Sequence, residues 1–188
     1  AALRNRLGLD PSASLALCIF HPVVQEAAKA AEHMQVVAET TMAAGYSVVV
    51  LRPNSDAGGD AIDAYLDSVP NGPNFQVLTH LARDTYLDLL GVSDLIIGNS
   101  SSGIIESASF ALPCVNIGSR QKDRQRNENT FDCPKLTQEA VAKTIDAARS
   151  WGRKTENVYG DGRTDVRLLE CLNKLDLTPE LLSKRMTF

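Results

Sequence analysis

A chain of 188 residues, 44% hydrophobic and 22% charged, carries enough apolar side chains to bury the core of one domain. Its formal net charge of −4 argues against a nucleic-acid binder, which would present a basic face. Its four cysteines (Cys18, Cys114, Cys133 and Cys171) form no CxxC pair and no His/Cys cluster, so no zinc site or other metal is expected.

Widely spaced cysteines, some of them inside apolar runs, read as buried free thiols in a reducing cytoplasm. No apolar run approaches the roughly 18 residues of a membrane span, and Ala1-Ala2-Leu3-Arg4-Asn5-Arg6 lacks a signal-peptide pattern. A cytoplasmic protein without membrane contact is expected. The chain opens on what reads as the end of a helix, with no initiating Met, as a piece of a longer protein would.

Apolar runs and helical patterns then alternate. Leu15–Phe20 reads as a buried strand, and Val24–Ala44 as a long Ala-rich helix ended by Gly45. Ser47–Leu51 is a second strand, followed by a breaker-rich loop from Arg52 to Gly59. Asp60–Val69 is a shorter helix, Pro70-Asn71-Gly72-Pro73 a turn, and Phe75–Leu78 a third strand. Thr85–Val92 is helical, Leu95–Ile97 a fourth strand, Ile104–Ala111 its helix, and Cys114–Ile117 a fifth strand. Thr137–Trp151 is an amphipathic helix capped by Thr137 and ended by Gly152. Arg163–Leu175 is another, and Thr178-Pro179-Glu180 starts a last one with a cap, a proline and an acid at its positive end.

Short, near-continuously apolar strands separated by helices mean a parallel sheet covered on both faces. The expected fold is α/β: one Rossmann-like, doubly wound domain over residues 1–188, with ligands bound outside the carboxyl ends of its strands. Hydrogen-bonding residues gather there. His21 follows the first strand, Asn54 the second, His80 and Leu81 the third, Asn99-Ser100-Ser101 the fourth, and Ser119-Arg120 the fifth. Singly, each has an ordinary explanation as a loop, turn or cap residue. Five such strand ends together favour one shared pocket.

The richest of them is Asn99-Ser100-Ser101-Ser102-Gly103, between the run Asp94–Gly98 and the helix-like Ile104–Phe110. A buried strand that breaks at glycine into serines and opens a helix presents free N–H groups, a helix dipole and hydroxyls to one anion. Phosphate fits there. Serine and asparagine also start helices without binding anything, but three consecutive serines exceed what a cap needs. Glu106, one turn on, is placed to accept hydrogen bonds from vicinal hydroxyls such as those of a ribose. Of the four cations after the fifth strand, Arg120 lies nearest the strand end and offers a planar fork to a phosphate or sugar oxygen. Lys122, Arg124 and Arg126 read as a solvated loop.

At this point the chain resembles the hydrolysing UDP-N-acetylglucosamine 2-epimerases. The matching residues are Phe20-His21-Pro22-Val23, Pro53-Asn54-Ser55-Asp56-Ala57-Gly58, Gly98 to Glu106, Leu112 to Gln121, and Tyr159-Gly160-Asp161-Gly162, in family order. His21-Pro22 stands where the non-hydrolysing relatives carry His-Arg, which favours the hydrolysing branch. The family usually has Gly where this chain has Ala111 and Asp123.

The resemblance implies a GT-B enzyme of two Rossmann-like domains, of which this chain looks like the C-terminal, UDP-holding one. Its N-terminal domain would be the partner, and the full-length protein a homo-oligomer. By resemblance, Ser100 and Ser101 would bind the pyrophosphate, Glu106 the ribose, and the Leu81 backbone the uracil edge. Asn54 and Arg120 would line the phosphate and sugar side, and His21 would assist departure of UDP as the catalytic residue of this half. The family chemistry takes a proton from sugar carbon 2, expels UDP from carbon 1, and adds water to give free N-acetylmannosamine and UDP for sialic-acid-type sugar synthesis. No cofactor is implied. The alternatives are a hydrolysing epimerase acting on UDP-diacetamido-trideoxyhexoses, a non-hydrolysing epimerase, a GT-B glycosyltransferase, and a non-catalytic nucleotide-binding domain.

Overall fold

The five apolar runs are strands: β1 (Ser14–Ile19), β2 (Tyr46–Leu51), β3 (Phe75–Leu78), β4 (Leu95–Gly98) and β5 (Cys114–Ile117). A sixth, β6 (Thr130–Cys133), joins them in a computed structural model that describes residues 2–176 and 178–183. All pair in parallel in the order β3-β2-β1-β4-β5-β6. β6 escapes a sequence reading because Asp132 interrupts Thr130-Phe131-Asp132-Cys133, so no continuous apolar run marks it.

The helices are α1 (Ala2–Arg6), α2 (Ala30–Ala43), α3 (Gly59–Ser68), α4 (Arg83–Val92), α5 (Ser101–Ile105), α6 (Gln138–Arg149), α7 (Thr164–Lys174) and α8 (Pro179–Leu182). Alternate residues of β1 divide between the two faces. Ala16 and Cys18 join Met34 and Val37 of α2 and Ile145 of α6 in one core cluster, whereas Leu15, Leu17 and Ile19 join Leu89 and Leu90 of α4 in the other. Both faces of the sheet are thereby covered, as continuous apolar strands require. The sheet lies in the compact unit Ala1–Val158, and Tyr159–Phe188 forms a second unit. In that second unit Asp161 accepts two bonds of 2.7 Å from Arg167, which hold its carboxyl down at about 2. The predicted cap of the last helix is present: the Leu181 N–H donates to Thr178 Oγ1 at 3.3 Å, while the side chain of Glu180 lies outside the described residues.

Two helices differ from expectation. Val24–Lys29 is a 3-10 helix leading into α2, because extended Val23 supplies no side-chain acceptor and the uncapped first turns close by tighter bonds. The helix expected over Ile104–Ala111 starts earlier and breaks. Ser100 caps α5 by accepting the Ser102 N–H at 3.3 Å, and a 3-10 segment, Ser107–Phe110, follows. Side chains take over the carbonyls at the break. The Ser107 hydroxyl donates to the Gly103 carbonyl at 2.6 Å, and the Asn127 and Asn157 amides donate to those of Ile104 and Ile105 at 2.8 Å each.

Two backbone positions near this turn are tightly determined. Gly98 has φ +137°, and a Cβ there would lie 2.1 Å from the Ile19 carbonyl oxygen. Ala111 ends the 3-10 segment at φ +46°, a left-handed conformation that disfavours a side chain. Ala111→Gly relieves that strain at some expense in unfolded-chain entropy. A net stabilisation of about 0.5–1 kcal/mol is expected from denaturant unfolding.

Candidate functional site

The ladder between β1 and β4 ends at Ile19 and Gly98, where the sheet order reverses and neighbouring connections leave in opposite directions. The Asn99 N–H still reaches the Ile19 carbonyl at 3.1 Å. Beyond it, the Asn99 side chain acts as a substitute peptide group. Its Oδ1 accepts the His21 N–H at 2.7 Å, and its Nδ2 donates to the His21 carbonyl at 2.7 Å. Asn99 is 1% exposed, so this two-way clamp is made away from water. The floor below it, lined by Ile19, Gly98, Ser100, Gly103 and Cys114, is packed without room for a water molecule.

The clamp presents the His21 ring to the loop after β2, where the Asn54 N–H donates to His21 Nδ1 at 3.2 Å. An acceptor Nδ1 assigns the proton of the neutral ring to Nε2. Burial, and then the charge of Arg120, hold the His21 pKa below the ordinary imidazole value of 6.5, while Asp56 pulls the other way. Folding thus favours the neutral ring. The stability linked to it is present above the unfolded-state pKa and is lost as pH falls through the lower folded-state value. An NMR titration should place the His21 ring below 6.5, and an anion bound beside it should raise it. The Asn54 amide itself donates to Asp56 Oδ2 at 2.6 Å within the loop.

On the β4 side, Ser100 and Ser101 are half-buried at the start of α5. The cap uses the Ser102 N–H, and the Gly103 N–H donates to the Ser100 carbonyl at 3.2 Å. The Ser102 hydroxyl is bonded to the Tyr86 hydroxyl of α4. After β5, Arg120 is exposed, with Nη1 3.4 Å from the Asn99 carbonyl, and buried Gln121 donates to the same carbonyl at 2.8 Å. Arg126 is not the solvated cation expected from sequence. It pairs with Asp132 at 3.1 Å and donates to the Gln121 carbonyl at 2.8 Å, because it folds back to shape the loop that carries Arg120.

Hydrogen bonds therefore gather His21, Asn54, the Asn99–Ser101 turn and Arg120 at one rim. None of these bonds reaches Leu81 or Glu106, which are held at α4 instead. Leu81 is half-buried against the apolar cluster of α4, and Glu106, 26% exposed, is paired with Arg83 at 2.7 Å. Sequence reasoning missed the roles of Asn99, Gln121, Tyr86 and Arg83. Arg83 alone left a signal: a cation at the start of a helix opposes the dipole and asks for a carboxylate partner. Among the described residues, no group of three or more His, Cys, Asp or Glu side chains could hold a metal ion, and no helix is long and apolar enough to cross a membrane.

The family model described as UDP-N-acetylglucosamine 2-epimerase matches residues 3–173. Among curated proteins, the chain is 38% identical to the UDP-N,N'-diacetylbacillosamine 2-epimerase (hydrolyzing) of Legionella pneumophila, over 96% of this chain and 48% of that protein. It is 25% identical to the UDP-N-acetylglucosamine 2-epimerase of Neisseria meningitidis, over 87% of this chain and 44% of that one. Among solved structures, the UDP-GlcNAc 2-epimerase from Methanocaldococcus jannaschii superposes with a TM-score of 0.68 at 13% identity, over 92% of this chain and 48% of that one. The chain spans about half the length of the curated relatives it matches. Its single parallel sheet with helices on both faces is the expected α/β, Rossmann-like fold, and it resembles one half of a GT-B fold. With the strand order, the rim at the β1/β4 switch point and a match to residues 3–173 in agreement, the chain belongs to the UDP-N-acetylglucosamine 2-epimerase family.

Proposed function

We propose that the full-length protein is a hydrolysing UDP-sugar 2-epimerase and that residues 1–188 are its C-terminal, UDP-holding domain. The observation that carries this reading is the meeting of His21, with its proton on Nε2, the Ser100–Ser101 turn and Arg120 around the Asn99 clamp. The sugar is a UDP-diacetamido-trideoxyhexose. Identity of 38% to a relative named for UDP-N,N'-diacetylbacillosamine, against 25% to one named for UDP-N-acetylglucosamine, supports that choice over the latter sugar.

In this reading the pyrophosphate sits on the α5 turn. The Ser102 and Gly103 N–H groups serve the cap, so the phosphate is met by the Ser101 N–H and the hydroxyls of Ser100 and Ser101. α5 has only five residues, so its dipole supplies less than a long helix would, and the Arg120 charge and the His21 donor carry more of the task. Glu106 accepts the ribose hydroxyls, the Leu81 backbone meets the uracil edge, and Asn54 faces the phosphate and sugar.

Catalysis divides between the halves. A carboxylate of the N-terminal domain removes the proton on carbon 2, and the electron pair forms the carbon 1–carbon 2 double bond. The bond from carbon 1 to the phosphate oxygen breaks, and negative charge builds on UDP. His21 Nε2–H, Arg120 and the serine turn stabilise that charge. Water then adds, and free 2-epimeric amino sugar and UDP leave for sialic-acid-type synthesis. The assembled enzyme is a cytoplasmic homo-oligomer.

Product analysis of the full-length protein tests this. UDP-2,4-diacetamido-2,4,6-trideoxyglucose should give free sugar and UDP in equal amounts, at a higher kcat/KM than UDP-N-acetylglucosamine gives. An epimerised sugar still joined to UDP would make it a non-hydrolysing epimerase, a glycoside would make it a transferase, and bound UDP without turnover would make it a binding domain.

A further inference from the structure

Arg83 opens α4, and its guanidinium Nη1 donates to Glu106 Oε1, at the end of α5, at 2.7 Å. The Arg83 side chain keeps 67% of its exposure, so the pair adds little to stability. Its geometry has another consequence. Tyr86, one turn after Arg83, is bonded to the hydroxyl of Ser102, one turn before Glu106. Residues at these spacings lie on one helix face, so α4 and α5 are joined by two polar links in a line. The inner link fixes the register of the helices, and the outer one holds the Glu106 carboxylate in a single orientation.

An ionised carboxylate has two acceptor oxygens. Arg83 occupies Oε1 and leaves Oε2 to meet an incoming donor. We infer that Arg83 is a positioning residue that aims Glu106 at a vicinal diol, and so sets the preference of this site for a ribonucleotide over a deoxyribonucleotide. The inference rests on the reading above that Glu106 meets the ribose. Without Arg83, a partly exposed Glu106 rotates into water and must be ordered again at each binding event, which erodes its contribution. A direct role of Arg83 on the phosphates would act differently, because it would serve both nucleotides equally.

The test is calorimetric titration of the full-length protein with UDP and with 2′-deoxy-UDP, for the parent protein, Arg83→Gln and Glu106→Gln. The parent should prefer UDP about 10-fold, the scale of one charge-assisted hydrogen bond. Arg83→Gln should bring that ratio to within about 2-fold of unity, mainly by weakening UDP, with the thermal melt unchanged. An equal loss for both nucleotides, or an unchanged ratio, overturns the inference. The Glu106→Gln arm separates the two levels. If that variant collapses the ratio while Arg83→Gln does not, the ribose reading stands and Arg83 has no part in it. If Glu106→Gln leaves the parent ratio intact, the ribose reading fails, and the role of Arg83 with it.

Discussion

His21→Ala is expected to lower the turnover of the full-length enzyme about 100-fold or more, with only a modest change in UDP affinity. The ring accepts the Asn54 N–H at Nδ1, which leaves Nε2–H as the donor toward the phosphate. In the proposed elimination, charge on the departing phosphate oxygen grows as the carbon 1 bond breaks, and a donor already in place gains more in that state than with bound substrate. The backbone of residue 21 stays clamped by Asn99 in the variant, so the loss reports the ring itself. Steady-state kinetics and UDP calorimetry check it. A variant that keeps kcat and only raises KM would make His21 an anchor. Ser101→Ala should act mainly on binding, because the Ser101 N–H continues to meet the phosphate in the variant.

Asn99→Ala is expected to cost about 2–4 kcal/mol of stability, since it strands both the N–H and the carbonyl of His21 at the switch point. Denaturant unfolding would show a lower midpoint at an unchanged slope. The catalytic consequence is more diagnostic. Without the clamp the His21 ring is no longer held, so kcat should approach that of His21→Ala. The double variant should then be little worse than either single one, because both changes remove the same interaction. Additive losses in kcat would show that Asn99 does not work through His21.

Part of this architecture was legible from local chemistry. Five of the six strands announce themselves as apolar runs, and the position of each polar strand end follows from where a run stops. The Gly98-Asn99-Ser100 break, the Thr137 and Thr178 caps and the stop at Gly45 depend on the conformations of a few consecutive residues, which the residue types themselves restrict. β6 was not legible, because Thr130-Phe131-Asp132-Cys133 has a charged residue inside it and no apolar run, whereas the other edge strand, Phe75–Leu78, keeps three apolar residues in four.

What only the tertiary structure decided is which side chains act in place of backbone. The side chain of Asn99 completes the β1–β4 ladder, Asn127 and Asn157 take carbonyls from a broken helix, and Arg126 folds back on its own loop. Arg83 finds Glu106 because packing brings the first turn of α4 beside α5. The sequence by itself determined the strand runs and the rim on which the polar strand-end residues collect, since periodicity and turn chemistry are short-range. The orientation and proton position of His21 and the partner of Glu106 were decided by long-range packing, because a hydrogen bond depends on where the far residue is carried, and local residue type does not specify that.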